Sequence, residues 1–233
     1  MVYVTSDLHG CDPDAFRKLL DRAGFTEEDY LFVLGDVIDR GEHGAKLLLW
    51  LTEQPNVQLI LGNHEELLLA CEFLFEEVTE ESLSKLNMEQ ILIMRNWMRN
   101  GGAPTLEGLK KILKHAPELF DGIMDYLHDA PLYECIDVGE NRYVLVHSGL
   151  GNFHPQKLLR EYTPHELLWE RPTLDTVYYE DMTVIFGHTP TETYGKAHRG
   201  KAVVTDSWIC IDTGAAMGNS PMVLRLDDRK EFY

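Results

Sequence analysis

The stretch Leu31-Phe32-Val33-Leu34-Gly35-Asp36-Val37-Ile38-Asp39-Arg40-Gly41 constrains the fold more than any other part of the chain. Four apolar residues in a row, one of them branched at Cβ, read as a short buried strand rather than a helix. Gly35 ends the run, and two carboxylates and a guanidinium follow within five positions. Open α/β sheets place their chemistry in the loops that follow strand ends. A buried strand that delivers Asp36, Asp39 and Arg40 to one rim suits metal and phosphate. A plain polar turn would carry the same Gly-Asp dipeptide, so the choice rests on the rest of the chain.

Two further strands have the same design. Val2–Ser6 is β-prone and runs straight into Asp7-Leu8-His9-Gly10. On extended backbone Asp7 and His9 leave the same face, a half-site for a transition metal. A helix follows, with Asp12 as N-cap, Pro13 at its first position, Phe16, Leu19 and Leu20 at helical spacing, and Gly24 closing it. The return to Leu31–Leu34 makes β-α-β, a parallel crossover. A second amphipathic helix over His43–Thr52 leads to the strand Val57–Leu61, which ends in Gly62-Asn63-His64-Glu65. Three successive strands thus stop at metal-binding or acid–base residues, a repetition that chance turns rarely produce.

From Glu66 to about Ala130 the pattern turns helical, with breaks at Thr79–Glu81, at Asn100–Pro104 and before Pro117. This predicts a helical insertion covering one side of the sheet, its Leu, Met and Phe residues packed as core. His115 and His128 read as packed or solvated rings. A hairpin follows, Tyr133–Val138 and Arg142–Val146 around Gly139-Glu140-Asn141, ending in His147-Ser148-Gly149. Thr163-Pro164-His165-Glu166 is a capping box that opens a short helix, with Arg171 just beyond. Thr183–Phe186 ends in Gly187-His188-Thr189-Pro190, and Ala202–Val204, Trp208–Ile211 and Met222–Leu226 supply the last strands. No repeat, low-complexity tract or linker interrupts the chain, so residues 1–233 read as one catalytic domain with an insertion over about 66–130.

Composition narrows the function classes. A hydrophobic fraction of 44% allows a substantial core, and a net charge of −18 repels phosphate backbones, which argues against nucleic-acid binding. The four cysteines, Cys11, Cys71, Cys135 and Cys210, form no Cys-x-x-Cys pair. That argues against a disulfide framework or thiolate zinc site and suits a reducing compartment. No apolar run approaches the roughly 18 residues of a membrane span. The first strand begins at Val2, leaving no room for a signal peptide, so a soluble cytoplasmic protein with no membrane partner is expected.

The set Asp7-x-His9, Gly35-Asp36-x-x-Asp39-Arg40-Gly41, Gly62-Asn63-His64-Glu65, His147-Ser148-Gly149 and Gly187-His188-Thr189 resembles the metallophosphoesterases. More closely it is similar to the bacterial and phage branch of the serine/threonine phosphoprotein phosphatases. Trp97–Gly102 and Leu167–Arg171 also resemble prokaryotic members. Each motif alone is common; five in this order, from Asp7 to Asp212, are specific. The resemblance implies an α/β fold, a four-layer α/β/β/α sandwich, with two divalent ions above the strand ends. It assigns Asp7, His9 and Asp36 to the first ion, and Asp36, Asn63, His147 and His188 to the second. Oxygen and imidazole donors without thiolate suit Mn, Fe, Zn or Co and do not choose among them, Mn being the cofactor expected. Two such ions clamp an in-line phosphoryl displacement and supply hydroxide near neutral pH. His64 is then the general acid, held by Asp39, because a carboxylate partner favours the imidazolium form. Arg40 clamps phosphoryl oxygens, an ion pair to Asp36 or Asp39 being its competing role, and Arg171 is a second clamp. Asp212 reads as a support of the rim, and His43, His154, His165 and His198 match no motif.

The expected function is a metal-dependent phosphomonoesterase acting on phosphoserine or phosphothreonine proteins or on small phosphoesters. The alternative keeps the same site but hydrolyses dinucleoside polyphosphates such as diadenosine tetraphosphate, or other nucleotides. A non-enzymatic regulatory module is disfavoured because no ligand, acid or clamp residue is missing. The acidic surface favours basic peptide surroundings over a polyanionic dinucleotide.

Overall fold

Alternating side chains along the strands sort the core into three layers. In the computed structural model, which describes residues 1–77, 79, 80, 84 and 86–233, β1 (Val2–Thr5), β2 (Tyr30–Val33) and β3 (Val57–Leu59) run parallel. Tyr3, Leu31 and Val33 point to one face and join a core with helical residues; Val4 and Phe32 point to the other. The period of two along an extended chain makes this division automatic.

The helical layer comprises α1 (Pro13–Ala23), α2 (Gly44–Thr52), α3 (Asn63–Leu69), α4 (Met88–Arg99), α5 (Ala103–His115) and α6 (Pro117–His128). The α1 caps are those expected: Asp12 accepts from the Asp14 N–H, and Gly24 closes the helix in the left-handed region. The breaks at 100–102 and at Ala116 fall where the sequence places them. The break expected at Thr79–Glu81 lies partly outside the described residues. No helix among the described residues is long and apolar enough to cross a membrane.

The second sheet begins with the expected hairpin, β4 (Tyr133–Val138) antiparallel to β5 (Asn141–Val146). It continues through β6 (Thr183–Phe186), β8 (Trp208–Cys210) and β7 (Val203–Val204), in the order β4-β5-β6-β8-β7. Tyr143, Leu145, Ile185 and Ile209 face the first sheet, and with Val4, Phe32, Leu34 and Ile60 they form the core between the sheets. Their neighbours Val144, Val146, Val184, Phe186 and Trp208 face outward. That outer face is covered thinly, by loops and by α7 (Pro164–Leu168), whose Thr163–Glu166 capping box forms as expected.

The chain then returns to the first sheet. β9 (Val223–Arg225) pairs antiparallel with β1, and β10 (Lys230–Phe232) pairs with β9, giving the order β10-β9-β1-β2-β3. The sequence reading stops at Leu226 and misses β10. Its Lys230-Glu231-Phe232 is polar because it is a solvent-facing edge, where charge blunts further pairing.

Candidate metal centre

The loops leaving the strand ends are strained, and the strain is concentrated. Eight non-glycine residues among those described have positive φ, and six of them are Asp7, His9, Asp36, Asp39, Arg40 and His188. Left-handed backbone costs a branched-out side chain of order 1–3 kcal/mol, so it persists only where surroundings over-determine it. Here every one of the six N–H groups has a distant acceptor. Asp7 N–H donates to Gly35 O at 3.1 Å, His9 N–H to Asp36 O at 2.9 Å and Arg40 N–H to Gly101 O at 2.9 Å. Asp36 N–H donates to Glu65 Oε2 at 2.8 Å, Asp39 N–H to Thr105 Oγ1 at 2.9 Å and His188 N–H to Asp7 Oδ2 at 2.9 Å. Two glycines permit the close approach: a Cβ at Gly62 would overlap Asp36, and one at Gly187 would overlap the Asp7 carboxylate.

Asp36 lies at the middle. His9, Asp36 and His64 bring donor atoms within 4.8 Å of one another on one side, as do Asp36, His147 and His188 on the other. His9 Nδ1 is 3.1 Å from the Ile38 carbonyl and His147 Nδ1 is 2.7 Å from that of Leu34. A carbonyl only accepts, so each ring carries its proton on Nδ1 and turns a bare Nε2 lone pair inward. His9 Nε2 lies 3.6 Å from Asp36 Oδ2 and 3.9 Å from Asp7 Oδ1. His147 Nε2 lies 2.8 Å from Asn63 Oδ1 and 3.4 Å from Asp36 Oδ1. His188 Nδ1 is 2.9 Å from the same Asn63 oxygen, and its Nε2 is buried with no partner.

The electrostatics fit a divalent cation. Burial pushes His9 down to about 3 and His188 to about 2, and lowers His147 as well, so these rings are neutral as ligands must be. Asp7, Asp36 and Asp212 are all buried, and none forms an ion pair with lysine or arginine among the described residues. Burial, then repulsion from Asp212 and Asp36, raises Asp7 well above the usual carboxylate range; burial also pushes Asp212 to about 7. An uncompensated buried carboxylate costs several kcal/mol, and converging lone pairs with excess negative charge are what an oxygen- and nitrogen-bound cation offsets.

His64 differs from the other rings. Burial works against its charge, but Asp36 and then Asp39 outweigh burial and raise its pKa. Its Nδ1 is committed to Asp39 Oδ2 at 2.6 Å, and Nε2 lies 3.1 Å from Arg40 Nη2. A ring biased toward its proton makes a poor ligand and a good acid, which separates His64 from His9 despite their shared cluster. The other Arg40 nitrogen, Nη1, is 3.0 Å from His9 Nε2. The competing ion pair of Arg40 with Asp36 or Asp39 does not form among the described contacts. Arg171 is exposed and donates to the His188 carbonyl at 3.4 Å. Asp212 accepts from the Gly214 N–H at 2.9 Å. His128 pairs with Glu72 on the surface, outside the cluster.

Three residues of the site carry no assigned role in the sequence, Glu65 and Trp97 appearing only as members of motifs and Thr105 in none. Glu65 is fully buried and accepts from the N–H groups of Asp36, Val37, Ile38 and Gly62, so it moulds the whole Asp36 turn. Burial and Asp36 push its pKa to about 7. Trp97 Nε1 donates to Asp39 Oδ2 at 2.8 Å, and Thr105 Oγ1 to Asp39 Oδ1 at 2.6 Å. Glu65 had a signal in its place at the third position of α3, the capping-box site, and Trp97 in its place at the head of Trp97–Gly102, whereas Thr105 looks like an ordinary helix residue.

Fold and site together define a class: two mixed sheets packed face to face, with carboxylate, amide and imidazole donors where their strand ends meet. The chain belongs to the Calcineurin-like phosphoesterase family, which matches residues 1–216. It is 30% identical over 151 residues to the symmetrical bis(5'-nucleosyl)-tetraphosphatase of Acidovorax ebreus (strain TPSY), covering 64% of this chain and 44% of that one. Thus the chain spans less than half the length of the curated relatives it matches. A solved structure provisionally named a diadenosine tetraphosphatase is similar with a TM-score of 0.62 at 19% identity, over 99% of this chain and 90% of that one. A serine/threonine phosphatase from Saccharomyces cerevisiae is similar with a TM-score of 0.54 at 15% identity, over 95% and 71%. At these identities the two structures speak to the fold alone.

Proposed function

We propose that the chain is a single-domain, metal-dependent hydrolase of dinucleoside polyphosphates, with diadenosine tetraphosphate as the type substrate. The observation that carries the hydrolytic reading is Asp36, with donor clusters on both sides of it and two guanidinium groups at the rim. The choice of substrate rests on the matched relatives, which are named as tetraphosphatases. They favour this reading over the phosphoprotein one suggested by the motifs. The net charge of −18, taken to favour basic peptides, is an average over the surface, whereas the rim itself presents Arg40 and Arg171 to phosphate.

Asp7, His9 and Asp36 would hold one ion and Asp36, Asn63, His147 and His188 the other, with Mn the first candidate and Fe, Zn and Co suited to the same donors. Bound ions supply Lewis acidity and a nucleophile at neutral pH. The protein's own groups do the rest. Arg40, free of any carboxylate partner among the described residues and resting with its two terminal nitrogens on His9 and His64 Nε2, would offer its forked donors to phosphoryl oxygens, where they serve the charge that spreads in the transition state. Arg171 offers a second contact from the opposite rim. Asp39 holds the Nδ1–H of His64, which keeps Nε2 as the site that hands a proton to the departing oxygen.

Incubation with diadenosine tetraphosphate and Mn tests the reading, with nucleotides separated by chromatography. ADP as the product, at a higher kcat/KM than for a phosphoserine peptide, is expected. Faster turnover of the peptide overturns the substrate assignment, and release of AMP and ATP overturns the symmetric cut that ADP would report.

A further inference from the structure

The geometry points to Trp97 and Thr105 as positioning residues that act through Asp39 on the proton donor His64. The inference rests on the reading of His64 as general acid and extends it into the helical segment.

Asp39 is fully buried, and its two oxygens face three donors from the protein. Oδ2 is shared by His64 Nδ1 at 2.6 Å and Trp97 Nε1 at 2.8 Å. Oδ1 receives the Thr105 hydroxyl at 2.6 Å. That hydroxyl in turn accepts the N–H of Asp39 itself at 2.9 Å, which fixes its rotor and points its proton at the carboxylate. An indole N–H can only donate, so Trp97 stabilises Oδ2 as an acceptor and thereby as a carboxylate. Two of the three donors come from one short segment, the end of α4 and the start of α5. Both side chains are buried, Trp97 at 0% and Thr105 at 1% exposure.

The same segment grips the backbone of the Asp39–Arg40 turn. Arg40 N–H donates to Gly101 O at 2.9 Å and Gly102 N–H to Trp97 O at 3.1 Å. A Cβ at Gly102 would overlap the Trp97 ring, so the turn between the helices is shaped around the indole. Asp39 and Arg40 both have left-handed φ, 68° and 67°, a conformation that a loosened clamp would release. Asp39 therefore owes its orientation to residues 58 and 66 positions away in sequence. Its hydrogen bond to His64 inherits that orientation.

A merely structural role would lower stability and depress turnover of all substrates alike. A positioning role shows in the leaving group, because phenoxide needs a proton at departure far more than p-nitrophenoxide does. The full chain loaded with Mn is assayed on phenyl phosphate and p-nitrophenyl phosphate as wild type, Trp97→Phe, Thr105→Val, Thr105→Ser and His64→Asn. Losing a supporting partner of a reacting group typically costs about 10- to 100-fold. Trp97→Phe and Thr105→Val should lose kcat in that range on phenyl phosphate, clearly less on p-nitrophenyl phosphate, with KM and Mn content little changed. Thr105→Ser, which keeps the hydroxyl, should restore the wild-type ratio. Placed on His64→Asn, Trp97→Phe should cause no further loss. Equal losses on both esters, or an undiminished Trp97→Phe effect on His64→Asn, overturn the inference. If His64→Asn itself loses equally on both esters, the reading of His64 as acid fails instead. Should Trp97→Phe not fold, Thr105→Val and its serine counterpart carry the test alone.

Discussion

The rims of the two sheets face the same cluster of donors but are built to different tolerances. On the first-sheet side, Asp7, Asp36, Asp39 and Arg40 have left-handed φ with each N–H engaged, and Glu65 receives the N–H groups of Asp36, Val37, Ile38 and Gly62. On the second-sheet side Arg171 is held by one bond of 3.4 Å. His188 Nε2 is buried there without a partner among the described residues. The difference follows charge. The first rim carries Asp7, Asp36 and Asp39 and the second only Asp212 among these buried carboxylates, and a buried charge misplaced by a fraction of an ångström loses far more than a neutral ring does. The second rim supplies imidazoles that burial keeps neutral, so it needs shape more than neutralisation.

The most severe way to break this asymmetry is Asp36→Asn, because Asp36 alone among the described residues belongs to both donor clusters. Activity should be abolished to background, and Mn titration followed by metal analysis should show the bound complement reduced. Asp7→Asn and His188→Asn should each do less. An unchanged Mn stoichiometry in Asp36→Asn would remove Asp36 from the shared position.

Glu65→Gln comes next and tests whether the first rim is as rigid as its bonds suggest. The amide would present an NH2 group to backbone donors, leaving part of a buried network unsatisfied. A loss of about 2–4 kcal/mol in urea unfolding is expected, together with weaker Mn binding. A variant of wild-type stability would show that the Asp36 turn holds itself.

The smallest effects separate the two arginines. Arg40→Ala should raise KM and lower kcat together, by about 10²–10³ in kcat/KM, as expected for a donor to transition-state charge. Arg171→Ala should cost clearly less, in keeping with its single long tether. Thermal unfolding of both should stay near wild type, since neither guanidinium forms an ion pair among the described residues. If Arg40→Ala unfolds early with normal kinetics in its folded fraction, its role is structural.

The chain's own chemistry determined much of the picture locally. Asp12, Pro13 and Gly24 bound α1, the hairpin turn set β4 and β5, and the period of two in β2 and β5 assigned each side chain its face. Residues at strand ends advertised the donor cluster, because caps, turns and alternation act over a few positions and are written in neighbouring residues. Other features exist only once the chain is packed. The return of β9 and β10 to the edge of β1, the thin outer cover of the second sheet, and the left-handed φ of Asp36 and Asp39 have no local signature. Nor do the bonds from Glu65 to the Asp36 turn and from Trp97 and Thr105 to Asp39. Their partners lie 29, 58 and 66 residues apart. A hydrogen bond of that span is decided by which surfaces the core brings together, and the same tryptophan or threonine on another helix face would be ordinary packing.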